Sequence, residues 1–136
     1  MFAEQAWILN RASLTPNRLA LVNLETNEQW TYRQLTLEIA KWSHFFENQG
    51  LQAGSRVAVF SRNNSHLFAI LFACGLRGLI YVPLNWRLST EELNDIVADA
   101  TPSLLLYDQG IPCPLQLATM YPIQQVLPSA TIASSI

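Results

Sequence analysis

Along this chain the spacing of apolar residues switches between a period of two and a helical period, and the switches mark its elements. Ala3 to Leu14 has helical spacing and stops at Thr15-Pro16, because proline disfavours helical angles in the residue before it. Leu19 to Leu24 reads as a strand, Thr26-Asn27-Glu28 as a polar turn, and Gln29-Trp30 as a short returning strand. Thr31-Tyr-Arg-Gln34 has the form of a capping box, in which the Thr hydroxyl and the Gln amide oxygen accept from backbone N–H groups at a helix start. In the predicted helix Tyr32, Leu35, Ile39, Trp42 and Phe46 stack on one face, and Gly50 closes it. A coiled-coil seam shares that spacing, but a helix this short is read as core-facing.

Val57 to Phe60 is apolar on both alternating faces, the pattern of a strand covered on two sides in a parallel sheet. Ser65 is placed to cap a helix over Leu67 to Leu76, which is apolar nearly all round and so predicted to lie between layers. Leu79 to Val82 reads as another two-faced strand. Ser89-Thr-Glu-Glu92 repeats the capping box, with Leu93, Ile96, Val97 and Ala100 as an inner stripe and Glu91, Glu92, Asp95 and Asp99 outside. Ser103 to Tyr107 is a third buried strand. Two consecutive βαβ units therefore run from Arg56 to Tyr107 and predict an α/β fold with a parallel-sheet βαβαβ core. From Gln109 onward Pro112, Pro114, Pro122 and Pro128 punctuate the chain; a short helix at Leu115 to Met120, a strand at Ile123 to Leu127 and a tail from Ser129 to Ile136 are predicted. The chain divides into an α/β portion, residues 1–108, and an incomplete continuation with a tail, residues 109–136.

Composition narrows the function. Of 136 residues, 50% are hydrophobic and 13% charged, a balance that excludes disorder and predicts apolar surface facing a partner segment. With net charge −2 and Lys41 the only lysine, the chain offers no basic patch for nucleic acid. Cys74 and Cys113 lack metal-ligand spacing and read as idle thiols of a reducing cytosol, so a cytoplasmic protein is expected. The start, Met-Phe-Ala-Glu, is not that of a signal peptide. The apolar stretch Leu67 to Leu84 is interrupted by Gly75, Arg77, Gly78 and Pro83, so no transmembrane segment is expected.

Candidate chemistry is sparse. The strand-to-helix turn Ser61 to Ser65 has none of the glycines of a phosphate loop, and Gly75-Leu-Arg-Gly78 lies where glycine closes a helix. No Gly-x-Ser-x-Gly nucleophile motif occurs. His44 and His66 stand alone on helices and take structural or surface roles. Glu91 and Glu92 lie in a first helical turn, where they complement the dipole. From the residues alone, the chain is an α/β domain without a visible active site.

From Trp7 to Asp108 the chain resembles the N-terminal region of adenylate-forming enzymes: acyl-CoA synthetases, aryl-CoA ligases, luciferases and peptide-synthetase adenylation domains. The matching pieces are Thr15-Pro-Asn-Arg-Leu-Ala20, Trp30-Thr-Tyr-Arg-Gln-Leu35, Gly50-Leu-Gln-Ala-Gly-Ser-Arg-Val57, Asn63-Asn-Ser65 and Val82-Pro-Leu-Asn-Trp-Arg-Leu88 before Glu91-Glu-Leu93. The stretch from Trp7 to Leu21 is also similar to the start of o-succinylbenzoate–CoA ligases and of many fatty-acyl-CoA ligases. The resemblance implies part of the large N-terminal domain of that fold, and a parent enzyme that joins a carboxylic acid to AMP and then to CoA. ATP, magnesium and CoA would serve the parent. The family's Ser/Thr/Gly-rich phosphate loop, its nucleotide contacts and its C-terminal lysine domain all lie later, so this piece is expected to hold no catalytic residue, metal or cofactor of its own. Its partner would be the remainder of the ligase, and in isolation its uncovered apolar faces are expected to drive self-association. In CoA-using relatives the basic residue of the Asn-x-Arg-Leu element lies where the nucleotide phosphates of CoA dock, which implies a phosphate contact for Arg87; the plain alternative is a solvent-facing arginine beside Trp86. Two other readings compete: a naturally short, non-catalytic α/β domain for binding or regulation, and a flavodoxin-like domain, which would need a phosphate loop at Ser61 to Ser65.

Overall fold

A computed structural model of the chain describes residues 11, 13–24 and 27–129. Arg11, Ser13 and Leu14 are helical and the turn ends where Thr15 N donates to Arg11 O at 2.8 Å; the rest of the helix predicted from Ala3 lies outside the described residues. So does the predicted tail beyond Ser129.

Strands β1 (Leu19–Asn23) and β2 (Glu28–Thr31) form an antiparallel hairpin, with Asn23 opposite Glu28. Asn27 turns the corner at φ 63°, a left-handed conformation that asparagine tolerates better than most residues. Helix α1 (Tyr32–Asn48) starts on the predicted capping box: Gln34 N donates to Thr31 Oγ1 at 3.2 Å, and Thr31 N to Gln34 Oε1 at 2.8 Å. Leu35, Ile39, Trp42 and Phe46 form its buried stripe.

The main sheet contains β3 (Arg56–Phe60), β4 (Ile80–Leu84), β5 (Leu104–Tyr107) and β6 (Met120–Pro122) in the order β4-β3-β5-β6, all parallel. The helices α2 (His66–Arg77) and α3 (Thr90–Ala100) make the two crossovers, and α4 (Ile123–Ser129) follows β6. Because side chains alternate along a strand, β3 and β5 each feed two cores. Val57, Val59, Leu104 and Leu106 pack with α1, α2, α4 and the hairpin, whereas Ala58, Phe60 and Leu105 pack with Leu84, Leu93 of α3 and Leu115.

Four sequence expectations are corrected. The Leu79 to Val82 run forms an edge strand, paired with β3 alone and leaving Ile80 44% exposed; Pro83, which has no N–H, suits an edge. Helix α2 is apolar all round but is not covered all round: Ala69, Ile70, Ala73 and Cys74 are buried, while Phe68 is 43% and Leu71 40% exposed. Ser65 does not cap α2. Its backbone already has helical angles (φ −65°, ψ −28°), which carries its hydroxyl away from the amides a cap must reach, and Asn64 Oδ1 accepts instead from His66 N at 2.9 Å. The stretch after Gln109 is reversed in kind: Leu115 to Thr119 is irregular, Met120 to Pro122 is strand, and Ile123 to Ser129 is helix. Short apolar runs do not distinguish strand from helix by period. The open edge of β5 decides here, taking Met120 opposite Leu105, and Ile123 and Val126 then fall three apart on the α1–α2 core.

Candidate functional site

β3 and β5 are neighbours, yet the chain leaves β3 for α2 on one face and leaves β5 for Leu115 on the other. Where adjacent parallel strands depart to opposite faces, their carboxyl ends leave the crevice in which open α/β sheets bind ligands. Three stretches leave the sheet at this end: Ser61 to Ser65 after β3, Asp108 to Gly110 after β5, and Asn85 to Arg87 after β4.

The crevice between β3 and β5 is closed by an ion pair. Arg62 Nε donates to Asp108 Oδ2 at 2.8 Å and its Nη2 to Oδ1 at 3.2 Å, a bidentate fork. Gly110 N (2.8 Å) and Gln124 Nε2 (3.0 Å) add donors to Oδ1, and Gln109 N donates to Gln124 Oε1 at 2.9 Å. Asp108 N is itself fixed to Phe60 O at 2.8 Å. A side chain at position 110 would meet the Arg62 guanidinium, which would have to move off the fork it makes with Asp108. Burial by itself would raise the Asp108 carboxyl, but donors from Arg62, Gly110 and Gln124 outweigh it and hold the group at about 2. The same contact raises the Arg62 guanidinium above its ordinary value. An ionised carboxylate with this many donors is a structural anchor rather than a general base. Sequence reading missed it because its members are 46 residues apart; an aspartate closing a predicted strand was the one available signal.

Arg87 lies at the same end. It is exposed, its guanidinium sits 4.6 Å from the centre of the Trp86 ring, and its backbone N donates to Asn85 Oδ1 at 3.0 Å. Stacking orients the guanidinium and leaves its N–H groups facing solvent, with no acidic partner among the described residues.

The other singled-out groups are structural. Glu92 completes the capping box of α3, and the N–H and hydroxyl of Ser89 lower its pKa. Burial pushes the Cys74 thiol up to about 12 and raises that of Cys113, so neither is a ready nucleophile. His66 packs edge-on to Trp30, centroids 5.2 Å apart, in a cavity of ≈ 320 Å³ walled by the hairpin and α1; burial lowers its pKa against the pull of Glu38, 3.7 Å away. The Glu38 carboxylate is already paired with Lys41 at 2.8 Å. Gly78, at φ 70°, closes α2 as the sequence predicts. No helix among the described residues is long and apolar enough to cross a membrane.

A parallel sheet covered on both faces, with its switch point between β3 and β5, defines an open α/β domain. The AMP-binding enzyme family matches residues 8–133, and the chain belongs to that family. It is 33% identical over 102 residues to a feruloyl-CoA synthase of Amycolatopsis sp., covering 75% of this chain and 20% of the relative. To a 2-succinylbenzoate–CoA ligase of Bacillus cereus it is 34% identical over 103 residues, 76% of this chain and 21% of the relative. Its fold matches the o-succinylbenzoate coenzyme A synthetase of Bacillus subtilis in complex with AMP, with TM-score 0.81 and 23% identity over 96% of this chain and 34% of that one. The fold class implied by the resemblance is thus the observed one. The chain spans about a fifth of the length of the curated relatives it matches.

Proposed function

We propose that this chain is the N-terminal part of an AMP-forming acid–CoA ligase, which activates a carboxylic acid with ATP and magnesium and passes the acyl group to CoA. The observation that carries this reading is the family match across residues 8–133 in a chain that spans about a fifth of its relatives. Residues 1–108 would supply the α/β portion and residues 109–136 the beginning of the continuation. The turn at Ser61 to Ser65 is occupied by the Arg62–Asp108 pair and carries no glycine cradle, so phosphate chemistry is assigned to the remainder of the enzyme and the chain alone is inactive. Arg87 is assigned to the nucleotide phosphates of CoA, a role supported by its solvent-facing guanidinium braced on Trp86. A cytoplasmic setting follows from the substrates.

Exchange of labelled pyrophosphate into ATP tests this reading. With the 136-residue chain and a panel of aryl and fatty acids it should stay at background, and sustained acid-dependent exchange would overturn the division of labour. In an enzyme extended to the relatives' length, Arg87→Ala should leave exchange intact and raise KM for CoA about 10- to 100-fold, the loss of one charge-assisted contact. Equal KM values for CoA and for CoA lacking its nucleotide, in wild type and variant alike, would remove Arg87 from the phosphate site.

The same reading places the remainder of the ligase on the apolar surface. Phe68 and Leu71 of α2, Ile80 on the edge strand β4 and Tyr121 of β6 are the large apolar side chains left exposed on the helix and sheet. The isolated chain should therefore self-associate, with a mass by light scattering that rises with concentration. A strict monomer that binds no hydrophobic dye would favour a self-sufficient short domain instead.

A further inference from the structure

His66, the first residue of α2, is the meeting point of three elements. Its ring lies edge-on to Trp30 of β2, centroids 5.2 Å apart, and its Nδ1 is buried, makes no hydrogen bond and stands 3.7 Å from Glu38 Oε1 of α1. The other oxygen of that carboxylate, Oε2, accepts from Lys41 Nζ at 2.8 Å. Glu38 thus stands between a permanent cation and an imidazole that can become one.

The surroundings of the ring pull in opposite directions. The carboxylates of Glu38 on α1 and Glu28 on β2 favour a proton on it, whereas burial, Lys41 and the positive end of α2 itself resist one. Burial prevails, and the ring is held below the ordinary histidine value of 6.5. A neutral ring packs on Trp30 without a charged partner, but an imidazolium has to be paired or hydrated, and at 3.7 Å Glu38 is beyond hydrogen-bond distance. The ring therefore has to move when it gains a proton.

We propose that His66 is a pH-sensitive joint of this domain: neutral, it holds the start of α2 against Trp30 of the hairpin, and protonated on Nδ1 it turns toward Glu38 and loosens that contact. The joint is independent of the ligase reading, since it uses neither Arg87 nor the switch-point crevice. Because the native ring takes a proton less readily than a histidine of the unfolded chain, the stability contributed by the neutral joint is complete above pH 6.5 and is lost as pH falls through the lower folded-state value.

NMR of the 136-residue chain over about pH 8 to 5, the range in which histidine changes charge, follows the His66 ring and the Trp30 indole N–H together. Both signals should titrate with one midpoint below that of an ordinary histidine. Glu38→Gln should lower the midpoint further and Lys41→Met should raise it, because the first removes a carboxylate that attracts the proton and the second a cation that repels it. His66→Phe keeps a ring beside Trp30 and cannot take a proton, so the Trp30 signal should cease to follow pH in this range. In urea unfolding the wild type should lose stability relative to that variant as pH falls from about 7 to 5. A His66 midpoint at or above 6.5, a midpoint that neither charge variant moves, a Trp30 signal that ignores the His66 titration, or a stability difference from His66→Phe that does not change with pH would each overturn the proposal.

Discussion

Phe46→Ala is expected to destabilise the domain by about 3–5 kcal/mol, a large share of the roughly 5–15 kcal/mol that holds a typical domain together. Phe46 is wholly buried near the end of α1, with its ring 6.1 Å from that of Trp42 and 5.9 Å from that of Phe45. Phe45 in turn meets Tyr121 of β6 edge-on at 5.4 Å, so the aromatic group ties α1 to the last strand of the sheet. Truncation removes the transfer energy of the ring and leaves a hole. Its ring neighbours Trp42 and Phe45 are fixed on the same helix and cannot both close on it. Phe46→Leu, which keeps most of the volume, should cost less than half as much. Urea unfolding of the two variants decides the matter: a cost below about 1 kcal/mol for the alanine would mean that this end of α1 is not part of a packed core.

Asp108→Ala should cost about 2–3 kcal/mol, because a buried acceptor is removed from the Gly110 N–H and the Gln124 amide at once. Little of that sum is assigned to Arg62, whose half-exposed guanidinium regains water. The effect also carries a pH signature. The folded-state pKa of Asp108 is depressed to about 2 from the ordinary value of 3.8, so the native state binds this proton less readily than the unfolded chain does. The carboxylate's stabilisation is therefore complete above the unfolded value and drains away as pH falls toward about 2. The stability difference between wild type and Asp108→Asn, measured by urea unfolding, should be largest near neutrality and shrink steadily below about pH 4. A difference that does not change with pH would show that the carboxylate is not held by its donors.

Much of the fold was legible in the linear pattern. Both capping boxes, Thr31 with Gln34 and Ser89 with Glu92, form as read, because each is closed by residues three apart and needs nothing from the rest of the chain. The two-faced strand at Val57 to Phe60 and the stripe Leu35, Ile39, Trp42, Phe46 are buried as read, since period and hydrophobicity determine which faces must leave water. The succession of those elements was enough for the α/β class, the family was reached only through the resemblance of the motifs between Trp7 and Asp108, and the comparisons bear out both.

What the pattern could not contain is which of its apolar runs would find neighbours. β4 reads like β3 but lies at an edge, and α2 reads as wholly buried but keeps Phe68 and Leu71 in solvent. The helix expected over 115–120 became an irregular stretch ending in strand at Met120, and the strand expected over 123–127 became helix, once β5 offered a free edge to Met120. The candidate sites belong to the same class of fact. Arg62 meets Asp108 across 46 residues, and Asn64 rather than Ser65 accepts from the first amide of α2 because Ser65 already has helical backbone angles. Local sequence determines contacts within a turn or two of the chain, whereas contacts at the ends of parallel strands depend on strand order. Strand order is settled by the burial of the whole sheet.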